Sequence, residues 1–214
     1  MSINLYNTDC MEFMRNVPDK YYDLAIVDPP YGIGRDGSIK TTSKHGGRKA
    51  HAFKGWDNAA PNKSYFEQLF RVSKNQIIWG ANYFPFYLKS SMGWIFWDKC
   101  QRICNSDGEL AYTSFNRALR VAEYNRVELL REGTIHPMQK PIVLYKWLLK
   151  NYAKQGDKIL DTHAGSFSIG IACHEMGFDL DACEIDKDYF AAALKRYNAH
   201  ISQQKLFDPK DLAA

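Results

Sequence analysis

Four consecutive residues, Asp28-Pro29-Pro30-Tyr31, bring together a carboxylate, two conformationally locked carbonyls and an aromatic ring. An exocyclic amino group on a heteroaromatic ring is a poor nucleophile, because its lone pair is drawn into the ring. A carboxylate and a backbone carbonyl can accept its two hydrogens and return electron density to the nitrogen. Consecutive prolines hold φ and so aim the acceptors rigidly. A neighbouring tyrosine offers a face on which a base swung out of a duplex can stack. Asp-Pro is also an ordinary turn pair, so the tetrapeptide alone fits either a reactive site or a strand-end turn.

Two other stretches carry chemistry. Lys158-Ile159-Leu160-Asp161 runs into Thr162-His163-Ala164-Gly165-Ser166-Phe167-Ser168, a strand followed by a small-residue loop that opens a helix. Such a loop lets a ligand approach backbone amides and a helix N-terminus. Glu184 ends the next strand, where an acid can accept hydrogen bonds from ribose hydroxyls. The GxGxxG pattern is absent, which disfavours a dinucleotide. The third stretch is His136-Pro137-Met138-Gln139-Lys140-Pro141. Lys140 can pair with a ligand carboxylate, and Pro141 suits the first turn of a helix; an exposed lysine in a loop is the bland alternative.

The elements that must position these groups alternate. Strands are expected at Ile3–Tyr6, Tyr22–Val27, Gln76–Gly80, Gly93–Asp98, Leu110–Phe115, Lys158–Asp161 and Phe178–Glu184. Helices are expected at Cys10–Arg15, Ser64–Arg71, Ile142–Tyr152, Ile169–Met176 and Lys187–His200, with a short one at Asn82–Leu88 broken at Pro85. Arg117–Arg131 reads as a strand and a turn, and the chain after Gln203 as peripheral. Alternation of this kind implies an α/β fold: a Rossmann-like, mostly parallel sheet with helices on both faces. Ligands of such sheets lie beyond the carboxyl ends of the strands. Asp9, Asp28, Asp161 and Glu184 all fall there. Between about 35 and 61 the chain becomes a basic loop with Arg35, Lys40, Lys44, Arg48, Lys49 and Lys54, expected to be mobile when unbound.

The 214 residues suffice for one domain with a full core, 1–214, carrying that loop as an insertion. A formal charge of +4 permits nucleic-acid binding without demonstrating it. No run is apolar enough for a membrane span, and the N-terminal residues lack a signal peptide's pattern. Five cysteines, an odd number with no CxxC pair, point to reduced thiols in the cytoplasm. Cys100 and Cys104 lack the further ligands of a metal site, so no metal is expected.

The chain resembles the amino-group DNA methyltransferases of the circularly permuted β class, and most of all the small bacterial and phage adenine methylases. DPPYG at Asp28–Gly32, HPMQKP at His136–Pro141, DTHAGSFS at Asp161–Ser168 and CEID at Cys183–Asp186 carry the resemblance. It spans about Leu5 to about Tyr197, and the order, catalytic motif first and cofactor motif last, is that of the class. The resemblance implies S-adenosylmethionine as cofactor, double-stranded DNA as substrate and the N6 amino group of adenine as target. Asp161, His163, Gly165 and Ser166 would line the methionine part, with Ser168 beside them. Lys140 would face the cofactor carboxylate, Glu184 the ribose, and Asp9, next to Cys10, the cofactor's adenine. Asp28, Pro29, Pro30 and Tyr31 would grip the target base. The cofactor loop departs from the usual DPFxGSGT: Thr162 replaces proline, His163 phenylalanine, and Phe167 the usual glycine.

The basic loop is the expected DNA contact, through phosphates above all. A homodimer and a cognate restriction nuclease are compatible with the resemblance. Methylation of the cytosine N4 amino group, of RNA adenine or of a protein glutamine are the alternatives within the chemistry, and Asp28 in the first motif position favours adenine. A catalytically silent DNA-binding protein on the same fold would have no need to keep Asp9, Asp28 and Glu184 together.

Overall fold

A computed structural model describes residues 1–37, 50–101, 106–125, 129 and 132–203. Its strands are β1 (Ile3–Tyr6), β2 (Tyr22–Val27), β3 (Ser73–Trp79), β4 (Trp94–Asp98), β5 (Gly108–Thr113), β6 (Arg120–Glu123), β7 (Lys158–Asp161) and β8 (Asp179–Cys183). They form one sheet in the order β1-β8-β7-β2-β3-β5-β4-β6. From β1 to β3 every pairing is parallel. β5 runs antiparallel to both of its neighbours, and β6 pairs parallel with β4.

The helices are α1 (Cys10–Arg15), α2 (Lys63–Val72), α3 (Ile142–Tyr152), α4 (Ser168–Met176) and α5 (Lys187–Ile201). They divide between the two faces of the sheet. Leu24 and Ile26 of β2 point into a core with Leu144 and Leu148 of α3, Ile169 and Ala172 of α4 and Ala193 of α5. Ala25 and Val27, of the other parity, meet Met14 of α1 and Phe66 and Leu69 of α2. Side chains alternate along a strand, so a strand covered on both faces must be apolar at successive positions. Each buried aliphatic side chain stabilises the fold by about 1.5–3 kcal/mol, which makes β2, β3 and β7 the stiff base on which the loops stand.

Most expected elements are present within one to three residues. The helix expected over Asn82–Leu88 is instead a pair of 3-10 turns, Ala81–Tyr83 and Pro85–Tyr87. Proline has no N–H to continue a helix, and the second turn begins on Pro85. The stretch Arg117–Arg131 contains β6 at the sheet edge. Among the described residues, no helix is long and apolar enough to cross a membrane.

Candidate active site

The carboxyl ends of β1, β2, β7 and β8 surround a cavity of about 200 Å³. Of the residues singled out by sequence, Asp9, Cys10, Asp28, Pro29, Pro30, Tyr31, Lys140, His163, Gly165, Ser166 and Glu184 line it. A second cavity of about 530 Å³ opens beyond β3 and β5, and the two share Tyr31, Met138 and Gln139.

The turn after β2 is held by a residue that no sequence motif marks. Asp57, almost fully buried, accepts the backbone N–H groups of Tyr31 (2.7 Å), Gly32 (2.8 Å) and Arg35 (2.7 Å). The Tyr31 ring lies flat on Tyr83, with centroids 4.9 Å apart. Its opposite contact is close to Gly80, where any Cβ would enter the ring and φ is +64°. Only glycine meets both demands.

Asp28 has both oxygens engaged. The Tyr31 hydroxyl donates to Oδ1 at 2.5 Å, and Lys140 Nζ to Oδ2 at 2.5 Å. Burial raises the Asp28 carboxyl above its ordinary range, with Lys140 opposing. Lys140, 2% exposed along its side chain, also meets Glu109 Oε2 at 3.1 Å. Its ion partners are therefore two protein carboxylates, where the sequence pointed to a cofactor carboxylate. Glu109 in turn pairs with Lys99 at 2.7 Å. Burial works against its ionisation, yet Lys140 and Lys99 hold its carboxyl down at about 2.

At the end of β7, Asp161 is 2% exposed and accepts the His163 amide at 3.0 Å. Burial raises its carboxyl to about 8. Thr162 and His163, the departures in the loop, are absorbed by Tyr65 of α2. The Tyr65 hydroxyl bonds Thr162 Oγ1 at 2.7 Å, that oxygen bonds His163 Nδ1 at 2.9 Å, and the Tyr65 ring meets the imidazole edge-on. Burial depresses His163 to about 4, so it is neutral near pH 7. Phe167 takes the left-handed backbone glycine would supply, φ +59°, and its ring fills the space beside Gly170 and packs on Tyr197.

Glu184 bridges the cofactor-type loop and the next turn. It accepts the amides of Gly165 (2.8 Å) and Asp186 (2.9 Å), and burial raises its pKa. An ionised carboxylate can accept further hydrogen bonds beside these. Asp9 has a structural duty that its sequence position does not announce: it caps α1 through the amides of Met11 (2.7 Å) and Glu12 (3.2 Å). Burial pushes the Cys10 thiol up to about 12, so it stays protonated.

Two expectations need correction. Ser168 does not line the cavity; it is buried in the first turn of α4, where Arg196 donates to its hydroxyl at 3.0 Å. Lys54, expected on phosphates, is spent within the chain. Its Nζ bridges Asp186 (2.7 Å) and Asp188 (2.7 Å) and lies over the Tyr189 ring. The described ends of the basic loop are also tied down, since Asp36, 4% exposed, accepts the amides of Lys54 and Gly55. This anchoring carries Trp56 into the cavity wall, stacked on His136 at 5.2 Å. Arg35 lines the second cavity. Lys40, Lys44, Arg48 and Lys49, like Cys104, lie outside the described residues. Trp79 and Trp97 are core, at 0% and 1% exposure.

The DNA methylase family model (N6_N4_Mtase) matches residues 112–195, the stretch that holds HPMQKP and the cofactor-type loop. The DNA adenine methyltransferase YhdJ of Escherichia coli is 25% identical over 92% of this chain and 84% of its own length. The type II methyltransferase M.HpaI of Haemophilus parainfluenzae is 23% identical over 94% of this chain and 76% of its own. The crystal structure of the M1.HpyAVI–SAM complex superposes with a TM-score of 0.60 at 19% identity, covering 91% of this chain and 98% of that one. In motif order and sheet topology the chain is thus similar to amino-group DNA methyltransferases.

Proposed function

We propose that this protein transfers the methyl group of S-adenosylmethionine to the N6 amino group of adenine in double-stranded DNA. One observation carries it: the Asp28–Tyr31 turn, the Thr162–Ser166 loop that follows β7 and the strand-end acid Glu184 converge on one cavity from adjacent parallel strands. The curated relative YhdJ is itself named an adenine methyltransferase, and M1.HpyAVI was solved with the cofactor.

The residues present suit that cofactor. When bound, it supplies an electrophilic methyl group on a sulfonium. Asp161 would take its ammonium group, Gly165 and Ser166 would lie along the methionine part, Glu184 would accept the ribose hydroxyls, and Asp9 would face the adenine amino group. On the other side, Asp28 and the Pro29 carbonyl would accept the hydrogens of the target amino group, while the Tyr31 hydroxyl holds Asp28 in position. The amino nitrogen attacks directly, so no thiol takes part, consistent with the protonated Cys10.

The duplex would approach the second cavity, whose rim carries Arg35 and the exposed Tyr83. Lys40, Lys44, Arg48 and Lys49 would add phosphate contacts. We extend the proposal to a single domain with its basic loop as insertion, a homodimer on DNA and a companion restriction nuclease, the last suggested by the type II relatives. The decisive experiment is transfer of labelled methyl from S-adenosylmethionine to unmethylated genomic DNA, with Asp28→Ala as control and nucleoside analysis of the product. Methyladenine that disappears with the variant supports the proposal. Methylcytosine would overturn the choice of base, and no methylated DNA would overturn the activity.

A further inference from the structure

The proposed chemistry needs Asp28 as an acceptor, yet both of its oxygens already have donors. An incoming amino group must displace one of them. The Tyr31 hydroxyl is the harder to move, because its ring is clamped between Tyr83 and Gly80. Lys140 is the easier: it has a flexible stem and a second carboxylate, Glu109, already 3.1 Å away. Asp28 faces the first cavity and Glu109 the second, and Lys140 spans the wall between them.

Resting on the amino-methylation reading, we infer that Glu109 is a positioning residue for the reaction: it receives the Lys140 ammonium when the target amino group takes Oδ2 of Asp28. Lys99 holds Glu109 in place for this exchange, at 2.7 Å on the far oxygen. A buried ammonium with no partner is strongly unfavourable, whereas one handed between two carboxylates stays compensated throughout. The alternative of a proton relay from Asp28 through Lys140 to Glu109 is disfavoured. Glu109 is too weak a base to take the proton, since its carboxyl titrates only near 2.

The groups around Lys140 define what pH should do. They are Asp28 and Tyr31 after β2, Glu109 on β5 backed by Lys99, Asp161 at the end of β7, and His136 in its own loop. Asp28 and Glu109 hold the lysine charged. Removing the Glu109 charge leaves Lys140 bound to Asp28 alone and lowers its proton affinity. Raising the pH then strips its proton and frees Asp28.

The test is steady-state kinetics of Glu109→Gln on unmethylated DNA. We expect kcat to fall on the order of 10- to 100-fold with KM for cofactor and DNA nearly unchanged. The variant's rate should climb through the alkaline range where the wild-type rate is level. Glu109→Asp, which keeps the charge, should recover most of the rate. The double variant Glu109→Gln/Lys140→Gln should be faster than Glu109→Gln alone, because the lock on Asp28 is gone. If Glu109→Gln does not fold by circular dichroism, Lys99→Gln loosens Glu109 from outside and should give a smaller fall of the same kind. A wild-type kcat in Glu109→Gln, a level pH profile, or losses that simply add in the double variant would overturn the inference alone. A wild type that methylates no amino group would overturn the underlying function as well, and is told apart by the wild-type assay.

Discussion

Asp161→Asn should make the protein more stable and a worse enzyme. In the folded chain Asp161 keeps its proton up to about pH 8. Burial is the main cause; the His163 amide opposes it, and the Asp28 and Glu184 carboxylates add to it. Once unfolded, the same carboxyl ionises near its ordinary 3.8. The folded state therefore binds one proton more than the unfolded state between those values, and stability falls as pH rises through that window. By pH 7 the loss is about three powers of ten in the folding equilibrium, or about 4 kcal/mol. Asparagine does not titrate and keeps an oxygen for the His163 amide, but its NH₂ needs a partner, at about 1–3 kcal/mol if none is found. The net gain at pH 7 is then about 1–3 kcal/mol, each worth about 2–4 °C in Tm for a chain of this size. Thermal unfolding without cofactor, from pH 5 to pH 8, should show the variant's advantage growing with pH. Its affinity for S-adenosylmethionine should drop at least about tenfold, for want of a charge-assisted partner to the ammonium group. Wild-type affinity should rise toward pH 8 as Asp161 becomes easier to ionise. An Asp161→Asn advantage independent of pH, or a variant less stable throughout, would refute the reasoning.

Asp28→Asn should retain cofactor binding by calorimetry but lose on the order of 10²–10³-fold in kcat, as when a preorganised electrostatic partner is removed; a loss confined to KM would contradict its place beside the reacting amine. Lys54→Ala breaks the pairs with Asp186 and Asp188 that pull Trp56 over the cavity. Stopped-flow cofactor release should quicken severalfold, with a stability change of about 1 kcal/mol or less because the pairs are partly solvated. Phe86 is 96% exposed on a turn whose neighbours Phe84 and Tyr87 pack against Phe66. Phe86→Ala should leave Tm unchanged and raise KM for DNA severalfold; an unchanged KM would remove that turn from the DNA face.

The strand ends are legible in the sequence alone. Asp28 follows a compact apolar run that two prolines end, while Asp161 and Glu184 close short strands, Lys158–Asp161 running into a small-residue loop and Phe178–Glu184 alternating apolar and acidic residues. The α1 cap on Asp9 is hidden there, because a helix cap and a ligand-binding acid look the same in sequence. Tyr65, Asp57 and Trp56 escape notice for a different reason. Each lies more than twenty residues from the motif it supports, and no local period reports such a partnership.

Local pattern determined most of the strands and helices and where the acids fall, though not the 3-10 turns at Ala81–Tyr83 and Pro85–Tyr87, because burial on a sheet or helix face imposes its own periodicity on the chain. It could not determine strand direction. Only the folded sheet shows β5 running against its neighbours, so that the first residues of that strand, not the last, reach the end where the ligands would sit. That reversal brings Glu109 to Lys140, and Lys140 to a position between two carboxylates. Charge partners buried at long sequence separation are chosen by three-dimensional proximity and shared desolvation, and neither leaves a mark along the chain.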